Sequence, residues 1–591
     1  MQSPISNGMK PKNKIASFFD NLFVNFHHLS FVSKIERVIE KMNLSEKIIF
    51  GLFSFILIIS ALTLLNRLHQ SFLVEVPAFG GSFTEGLAGS PRFINPVLAV
   101  SDTDKDVSSL IYSGLLKSKE AGGFENDLAS SYEIQEDGTV YDFVIKDNAY
   151  FHDGTAVTSD DVVFTINKIL DPVIKSPKKS NFEGITVEKI SEKEVKFILK
   201  KPYAPFLNAL TLGILPKHIW ENVSPEEFPF SQFNISPIGS GPYKIEKITR
   251  NSGGIPTIIN LSAWDRYVLG KTKIKSINLK FFQNEGSLVK AYDEKSIDSA
   301  AGLSPNSAKR LIANKSVVKE TSLPRVFGVF FNQNIAPVLL NKEIREALEI
   351  SAPKKRIVDD VLLGFGKILN GPTPANTEED SQKTDGDIEA AKALLLKNGW
   401  KVNDEGILEK KTKTGTSTFQ FSISTSDAPE LKKTAEILQE TWNKLGASVS
   451  IKVFEAGDLS QNIIKGRKYD ALLFGEVVGV ESDLYPFWHS SERNDPGLNI
   501  SLYANITTDK ILETMQKETD ELKKLEEKEI LLAEIKKDMP AIFLFSPSFL
   551  YAPAPQVKNI LLKNISSQNE RFVSIEKWFI ETDKVWKFLS N

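Results

Sequence analysis

The sequence contains no cysteine and only six histidines among its 591 residues. Without cysteine it cannot form a disulfide, a thiolate zinc site, an iron–sulfur cluster or a cysteine nucleophile. The histidines are scattered, and no two of them have the helical spacing of a metal-binding pair. A large excess of one charge is also missing, since 72 basic residues face 75 acidic ones. This balance provides no basic face, so no nucleic-acid partner is expected.

Motifs that assemble a catalytic centre are lacking as well. Gly270-Lys271-Thr272 resembles the end of a phosphate-binding loop, but Asp265 stands where the first glycine is required. Gly239-Ser240-Gly241 lacks the outer glycine of a nucleophile elbow. The sequence therefore predicts no catalytic residue, no bound metal and no cofactor, and it favours a binding protein over an enzyme.

Charge is absent from one long apolar run, residues 48–65 (IIFGLFSFILIISALTLL). At 1.5 Å per residue the run spans about 27 Å, close to the roughly 30 Å hydrocarbon core of a bilayer. Seven lysines and arginines precede it, whereas only Arg67 follows it before residue 90. This asymmetry predicts a single membrane-spanning helix with residues 1–47 in the cytoplasm and the remainder outside. The run and its charged lead are longer than those of a signal peptide, which favours an uncleaved anchor in the lipid bilayer.

Beyond the apolar run, helix and strand patterns alternate, and an α/β class is expected. Residues 418–454 read as strand, helix and strand, with Gly446 ending the helix, which predicts a βαβ unit and a parallel strand pair. A second helix is predicted over 387–398, and a hairpin over 187–199. Ser159, followed by two acidic residues, is predicted to be a helix N-cap.

A series of short motifs follows in a fixed order through the region beyond the apolar run. They are Gly89-Ser90-Pro91-Arg92-Phe93-Ile94-Asn95-Pro96, Asp127-Leu128-Ala129, Glu136-Asp137-Gly138-Thr139, Phe151-His152-Asp153-Gly154-Thr155, Tyr203-Ala204-Pro205-Phe206, Leu215-Pro216-Lys217-His218, Gly239-Ser240-Gly241-Pro242-Tyr243, Gly371-Pro372-Thr373-Pro374 and Phe487-Trp488-His489-Ser490-Ser491. Together they resemble the signature of the family 5 extracellular solute-binding proteins, the oligopeptide- and dipeptide-binding components of ABC importers. Each motif alone is weakly specific, whereas their shared order is specific.

The resemblance implies a two-lobed periplasmic-binding-protein-like fold of type II, with an extra small domain and one preceding transmembrane helix. The implied first lobe is discontinuous, and the chain crosses between lobes near 321–324 and 546–555. The implied domains are a cytoplasmic segment (1–47), the transmembrane helix (48–65), lobe I (72–110, 233–322 and 555–591), an inserted small domain (111–232) and lobe II (323–554).

The resemblance also implies a function, which is capture of an oligopeptide in the cleft between the lobes and delivery to an ABC permease and its ATPase. The main domain is then expected outside the cytoplasm, in the periplasmic space or at the cell surface. Three alternatives stay open. The same fold could bind an oligosaccharide or a metal-chelate complex, the chain could be a membrane-tethered ligand sensor, or the outer region could be a hydrolase.

The ligand-binding candidates that follow from the resemblance are Phe93, Asn95, Phe331, Asn332, Glu481, Asp483, Trp488, His489 and Asn499. Family members that bind peptides commonly place an aspartate against the ligand ammonium, but Gly479 or Val480 stands at that position here. Either Glu481 or Asp483 is therefore expected to take the amine, or the ligand has no free amine. Trp488 is either a stacking wall or a core residue, and Asn499 either bonds the ligand backbone or organises a turn. His152 is expected to be structural.

Overall fold

The computed structural model describes residues 37–587, except 121, 136–137, 204–205, 375–385, 414, 480–482, 519 and 564. Most of the predicted cytoplasmic segment 1–47 and the candidate Glu481 therefore lie outside the described residues. The described part of the chain forms two compact units. One contains residues 37–76 and 583–587, and the other contains 77–582.

Helices and strands alternate along the described chain. The helices are α1 (Leu44–Ser71), α2 (Asp102–Ile111), α3 (Ser159–Leu170), α4 (Phe206–Ala209), α5 (Lys217–Trp220), α6 (Glu285–Asp293), α7 (Pro305–Ala313), α8 (Lys342–Ser351), α9 (Lys354–Val361), α10 (Ile388–Lys397), α11 (Pro429–Leu445), α12 (Ala456–Asp458), α13 (Tyr485–Trp488), α14 (Ile506–Met515) and α15 (Glu521–Asp538). The strands are β1 (Leu73–Pro77), β2 (Gly80–Ala88), β3 (Leu116–Ser118), β4 (Phe124–Asn126), β5 (Ala129–Gln135), β6 (Val140–Ile145), β7 (Ile185–Lys189), β8 (Glu194–Leu199), β9 (Tyr243–Arg250), β10 (Pro256–Ala263), β11 (Ile274–Phe282), β12 (Ser299–Ala301), β13 (Lys319–Ser322), β14 (Arg325–Phe331), β15 (Gly366–Ile368), β16 (Lys401–Val402), β17 (Leu408–Thr412), β18 (Gly415–Thr418), β19 (Gln420–Ser426), β20 (Ser448–Phe454), β21 (Ala471–Val477), β22 (Ala541–Ala552) and β23 (Thr582–Trp586).

The smaller unit consists of one long helix and a two-stranded ribbon. Helix α1 has 28 residues, begins with a capping box between Asn43 and Glu46, and contains the whole apolar run 48–65. None of its side chains is buried, and its length and composition suffice to cross a membrane. Strand β1 follows after a single residue, Phe72, and pairs with β23 from the far end of the sequence.

The larger unit is organised around one long sheet with the strand order β20-β19-β21-β14-β22-β12-β2-β11-β10-β9, with β13 and β15 also paired to β22. Its two halves form two lobes. The first lobe contains β2 and β9–β12, where β2 runs parallel to both β11 and β12. The second lobe contains β14 and β19–β21, where β19 runs parallel to both β20 and β21.

Strand β22 belongs to both halves of the sheet and supplies side chains to every hydrophobic cluster of the larger unit. In the second lobe, Ile542 and Leu544 pack on one face of the sheet, and Phe543 packs on the other. In the first lobe, Tyr551 packs on one face and Leu550 on the other. The cores of the two lobes are therefore built on one continuous strand.

Smaller sheets are attached to this framework. Strands β5, β6, β8 and β7 form a four-stranded antiparallel sheet in that order. Its inner face packs into the first lobe's core through side chains such as Phe143 and Phe197, which lie 5.9 Å apart between ring centroids. Strands β3–β4 and β16–β18 form a two-stranded and a three-stranded sheet.

Several local predictions are confirmed. Strands β19 and β20 pair in parallel around α11, which ends at Gly446 with a φ of 105°. The second predicted helix is α10, and the predicted hairpin is β7–β8. The predicted N-cap was wrong by one residue, because Thr158 caps α3 through Asp161 while the buried Ser159 hydroxyl donates to Ser191 O at 2.5 Å. The domain limits stay predictions.

Candidate functional site

Two neighbouring chain segments connect the lobes. The first is the two-residue link between Ser322 at the end of β13 and Arg325 at the start of β14, and the second is the middle of β22. Strand β22 pairs with β14 over 541–545 and with β13 over 548–551. Between these stretches the buried Ser546 hydroxyl donates to Leu323 O at 2.5 Å, and Leu323 N–H donates to Pro547 O at 3.1 Å. Adjacent crossings of this kind allow a hinge motion between lobes.

The carboxyl end of β21 reaches this junction, because Val477 pairs with Arg325. The chain then runs through residues 478–503, here called the cleft segment, which carries four of the predicted site residues that the structure describes: Asp483, Trp488, His489 and Asn499.

Asp483 is the residue of the cleft segment that meets the other side of the junction. Its Oδ1 accepts from Tyr485 N–H at 3.1 Å, and its Oδ2 has no hydrogen-bond partner of normal geometry among the described residues. Burial raises the pKa of Asp483 above its usual value. The hydroxyl of Tyr203 lies near the Asp483 carboxyl, and burial together with that neighbour raises the pKa of Tyr203. Asp483 is thus a half-buried residue whose inaccessible Oδ2 can accept a further hydrogen bond.

Trp488 lies in the hydrophobic core beneath the cleft segment. Its ring is 5.8 Å from Phe543, 6.1 Å from Tyr503 and 6.5 Å from Phe330, and it is 1% exposed. The indole Nε1–H has no acceptor among the described residues. Packing favours the core interpretation of Trp488, while the unpaired donor leaves a polar atom that a ligand or water can satisfy.

His489 and Asn499 hold the cleft segment together. The Asn499 amide donates to His489 O at 3.1 Å and to Tyr503 O at 2.9 Å, while its Oδ1 accepts from Tyr503 N–H at 3.0 Å. His489 stacks on Tyr485 at 4.2 Å, and its Nδ1 accepts from Ser491 N–H at 3.1 Å. In this structure the Asn499 amide therefore organises a turn and does not face outward as a backbone-binding group would.

The remaining described candidates lie elsewhere. Phe331 and Asn332 are buried at the far end of β14, six residues or about 20 Å from the crossing. Asn332 donates to Arg467 O at 2.8 Å. Asn95 is buried and donates to Asn234 Oδ1 at 2.9 Å, and Phe93 is half-buried. The hydrogen bonds and ring contacts that join the cleft-segment candidates to their neighbours involve none of these four residues.

Glu476, on β21, is a buried carboxylate that sequence reasoning missed. It is 7% exposed. Burial raises the pKa of Glu476 well above its usual value, and the Arg467 guanidinium lowers it only in part. The signal was present in the sequence, because an acid within the apolar strand ALLFGEV is unusual unless it is paired.

His152 and the Gly239-Ser240-Gly241 motif are structural. His152 N–H donates to Gly239 O at 2.7 Å, and its Nε2 lies 3.1 Å from Gly241 O. A Cβ on Gly239 would lie 2.1 Å from Ile111 O, so only glycine allows this approach. Within the described ranges, no group of three or more histidine, aspartate or glutamate side chains is placed to hold a metal ion.

Comparison with known proteins assigns the chain. Residues 123–495 match the profile of the bacterial extracellular solute-binding proteins, family 5 Middle. The chain belongs to this family. The match confirms the resemblance read from the motifs, and it places the chain among extracellular solute-binding proteins.

Individual relatives of this solute-binding protein match about four fifths of its chain. The oligopeptide-binding protein AppA of Bacillus subtilis is 29% identical over 486 residues, which are 80% of this chain and 87% of AppA. The probable D,D-dipeptide-binding periplasmic protein DdpA of Escherichia coli is 26% identical over 499 residues, 82% of this chain and 92% of DdpA.

Solved structures confirm the two-lobed α/β fold. Bacillus subtilis AppA in complex with a nonapeptide is 27% identical with a TM-score of 0.64, and the match covers 86% of this chain and 100% of that chain. NikZ from Campylobacter jejuni in complex with Ni(L-His) is 25% identical with a TM-score of 0.65, covering 84% and 99% of the two chains.

Proposed function

We propose that this chain is the substrate-binding subunit of an ABC importer and that it captures peptides between its lobes and releases them unaltered. The observation that supports the peptide best is the similarity to the nonapeptide complex of AppA, which extends over the whole of that chain. The two crossings at Leu323 and Ser546 supply the hinge that such capture needs.

Capture in this proposal relies on backbone recognition and on a change of state. An extended peptide bonds to the main chain of both lobes as an added strand does, so affinity depends little on its side chains. Closure follows because the peptide contacts both lobes only in the closed state, and a ligand shifts the equilibrium towards the state that it binds better. The permease then distinguishes the closed form from the open one.

Asp483 is the proposed partner of the peptide ammonium. It is half-buried, lies near the Tyr203 hydroxyl, and its buried Oδ2 has no hydrogen-bond partner of normal geometry among the described residues, so an ammonium would complete its hydrogen bonds. Trp488 lies in the core and keeps an unpaired N–H among the described residues, whereas His489 and Asn499 position the cleft segment. Glu481, Phe93, Asn95, Phe331 and Asn332 stay predictions.

We also propose that α1 anchors the protein in the membrane. Its 28 residues extend about 42 Å, enough for the hydrocarbon core and one interfacial layer. The test is alkaline carbonate extraction of membranes from cells that express the full chain. Retention in the pellet is the expected result, and release into the supernatant contradicts anchoring. Tethering would raise the concentration of the binder near its permease.

Native mass spectrometry of the full chain as purified tests the peptide assignment. The expected spectrum contains adducts with peptide masses that disappear after mild unfolding and refolding. Adding the recovered peptide at 100 times its dissociation constant should then stabilise the protein by about 2.7 kcal/mol. Absence of adducts, together with no stabilisation by a mixed peptide pool, contradicts the proposal. Shortening of the added peptides during incubation indicates a hydrolase instead.

A metal-chelate complex is the second candidate, because NikZ with Ni(L-His) is structurally similar. A chelate brings its own ligands, so this alternative does not require a protein metal cluster. Thermal unfolding with nickel and histidine together, compared with a peptide pool, separates the two. Stabilisation by the chelate alone favours this candidate over the peptide.

A further inference from the structure

The end of the membrane helix is bound to a strand from the far end of the sequence. Lys587 N–H donates to Phe72 O at 2.9 Å, directly after α1 ends at Ser71. The Trp586 ring then packs on the last turn of the helix. Its centroid lies 4.9 Å from His69 in an edge arrangement and 6.2 Å from Phe72 in a stacked one. We call His69, Phe72 and Trp586 the aromatic collar.

The collar lies at a defined height relative to the apolar run. Phe72 follows Leu65 by seven residues, which is about 10 Å along a helix. The headgroup layer on each side of a bilayer is roughly 5–8 Å thick beyond the roughly 30 Å core. With residues 48–65 in the core, the collar falls within and just above that layer, and Arg67 lies at its inner edge.

The chemistry of the collar fits this layer. Tryptophan prefers the membrane interface because its ring is apolar and its N–H is polar, and arginine side chains extend from helix ends to phosphates. Trp586 is 38% exposed, whereas each of the other six tryptophans is at most 6% exposed. An exposed tryptophan is therefore found only where the chain leaves the predicted membrane.

We infer that the aromatic collar docks into the phospholipid headgroup layer of the outer leaflet, so that Trp586, remote in sequence, is a membrane-contacting residue. This inference rests on the proposed anchoring by α1. The ribbon of β1 and β23 would then be fixed at the bilayer surface at two points, the helix end and Trp586. The partner is a lipid interface and not a protein.

Depth-dependent quenching in vesicles tests the collar. The full chain is reconstituted into phosphatidylcholine vesicles brominated at carbons 6,7 or 11,12, or left without bromine, and vesicle flotation is measured on the same samples. Because Trp586 is the exposed emitter among seven tryptophans, we expect partial quenching, stronger with bromine at 6,7. Trp586→Phe should abolish this bromine-dependent decrease in tryptophan fluorescence. Trp264→Phe, at a buried site, is the matched control, and this variant should still show the bromine-dependent quenching.

The outcomes separate the collar from the anchor. Flotation with bromine-dependent quenching that Trp586→Phe removes supports the collar. Flotation without such quenching, or with quenching that persists in Trp586→Phe, overturns the collar and leaves the anchor intact. Failure to float overturns the anchoring proposal, and the collar with it.

Discussion

Two groups of buried charges in the larger unit differ in how completely their acceptors are used. In the first lobe, Arg571, Glu85 and Asp106 are fully buried. Arg571 donates to Glu85 Oε1 at 3.1 Å and to Asp106 Oδ1 at 2.7 Å, Tyr551 donates to Glu85 Oε2 at 2.9 Å, and Gln568 donates to Asp106 Oδ2 at 2.7 Å. Every carboxylate oxygen has a donor.

Near the cleft segment, some polar groups lack hydrogen-bond partners. Among the described residues, Asp483 has one oxygen without a hydrogen-bond partner of normal geometry, and Trp488 has an unpaired N–H. Burial also raises the pKa of Glu476 well above its usual value. Unpaired buried polar groups lower stability and are retained where they have another use. The Arg571 network therefore stabilises the fold, whereas the groups near the cleft segment are the ones proposed to meet a ligand.

The largest expected effect is the removal of the central charge of the complete network. Arg571→Met leaves Glu85 and Asp106 buried without a counter-charge, so the free energy of unfolding should fall by about 3–5 kcal/mol. Urea titration monitored by circular dichroism measures it. The control is Arg310→Met, which removes an exposed ion pair with Asp293 and should cost at most about 1 kcal/mol. Equal losses of unfolding free energy in the two variants would show that the buried network stabilises the fold no more than a surface ion pair does.

Asp127 tests whether incomplete partnering is restricted to the second lobe. It is buried with Oδ1 unpaired among the described residues, and burial raises its pKa to about 6. The folded state then binds its proton more tightly than the unfolded state does. Stability should therefore fall by about 3 kcal/mol as pH rises from about 4 to about 6, and this contribution should stay level above that.

The measurement for Asp127 is the unfolding free energy of wild type and Asp127→Asn at several pH values. The asparagine variant should lack this decrease, and Asp147→Asn, at an exposed site, is the matched control. Parallel profiles for wild type and Asp127→Asn would show that the buried carboxyl does not titrate in this range.

Asp483→Asn tests whether the incompletely paired carboxylate of the cleft segment contributes to peptide binding. The amide keeps the Oδ1 contact with Tyr485 but removes the charge, so peptide affinity should fall by about 1.5–3 kcal/mol, or roughly 10- to 150-fold. The free energy of unfolding should not fall. Isothermal titration calorimetry with the copurified peptide measures the affinity, with the exposed Asp360→Asn as control. Unchanged affinity with lowered stability would place Asp483 among the structural groups.

The smallest expected effect concerns the junction between the two groups. Ser546→Ala removes the hydrogen bond to Leu323 O, and the free energy of unfolding should fall by about 1 kcal/mol. Ser548→Ala, which removes a contact with the exposed Glu320, is the matched control and should change it less. If both variants lower the free energy of unfolding equally, the hydrogen bond at the crossing contributes no more than an exposed one.

Local structure was predictable where a repeating pattern or a turn residue specifies it. The βαβ unit of β19, α11 and β20, with Gly446 at the helix end, follows from alternation and helical spacing in the sequence. The N-cap of α3 was misplaced because threonine and serine are adjacent and both can cap, and only the backbone conformation decides between Thr158 and Ser159.

The site was less predictable because burial and partners depend on strand pairing. Phe331 was selected for its closeness in sequence to the crossing, but β14 carries it to the far end of the lobe. Asn499 has four contacts that no local pattern reveals. Glu476 was overlooked although it interrupts an apolar strand, and its burial became evident only from the structure.

The shared strand β22 limits which length changes the protein can accept. Inserting one residue between Ser546 and Ser548 would turn the following side chains to the opposite face, exchanging Leu550 with Tyr551 between two differently shaped interiors. Surface loops tolerate added residues, whereas one additional residue here would disturb the hydrophobic packing on both faces of β22 at once. Length variation among relatives is therefore expected to avoid this stretch.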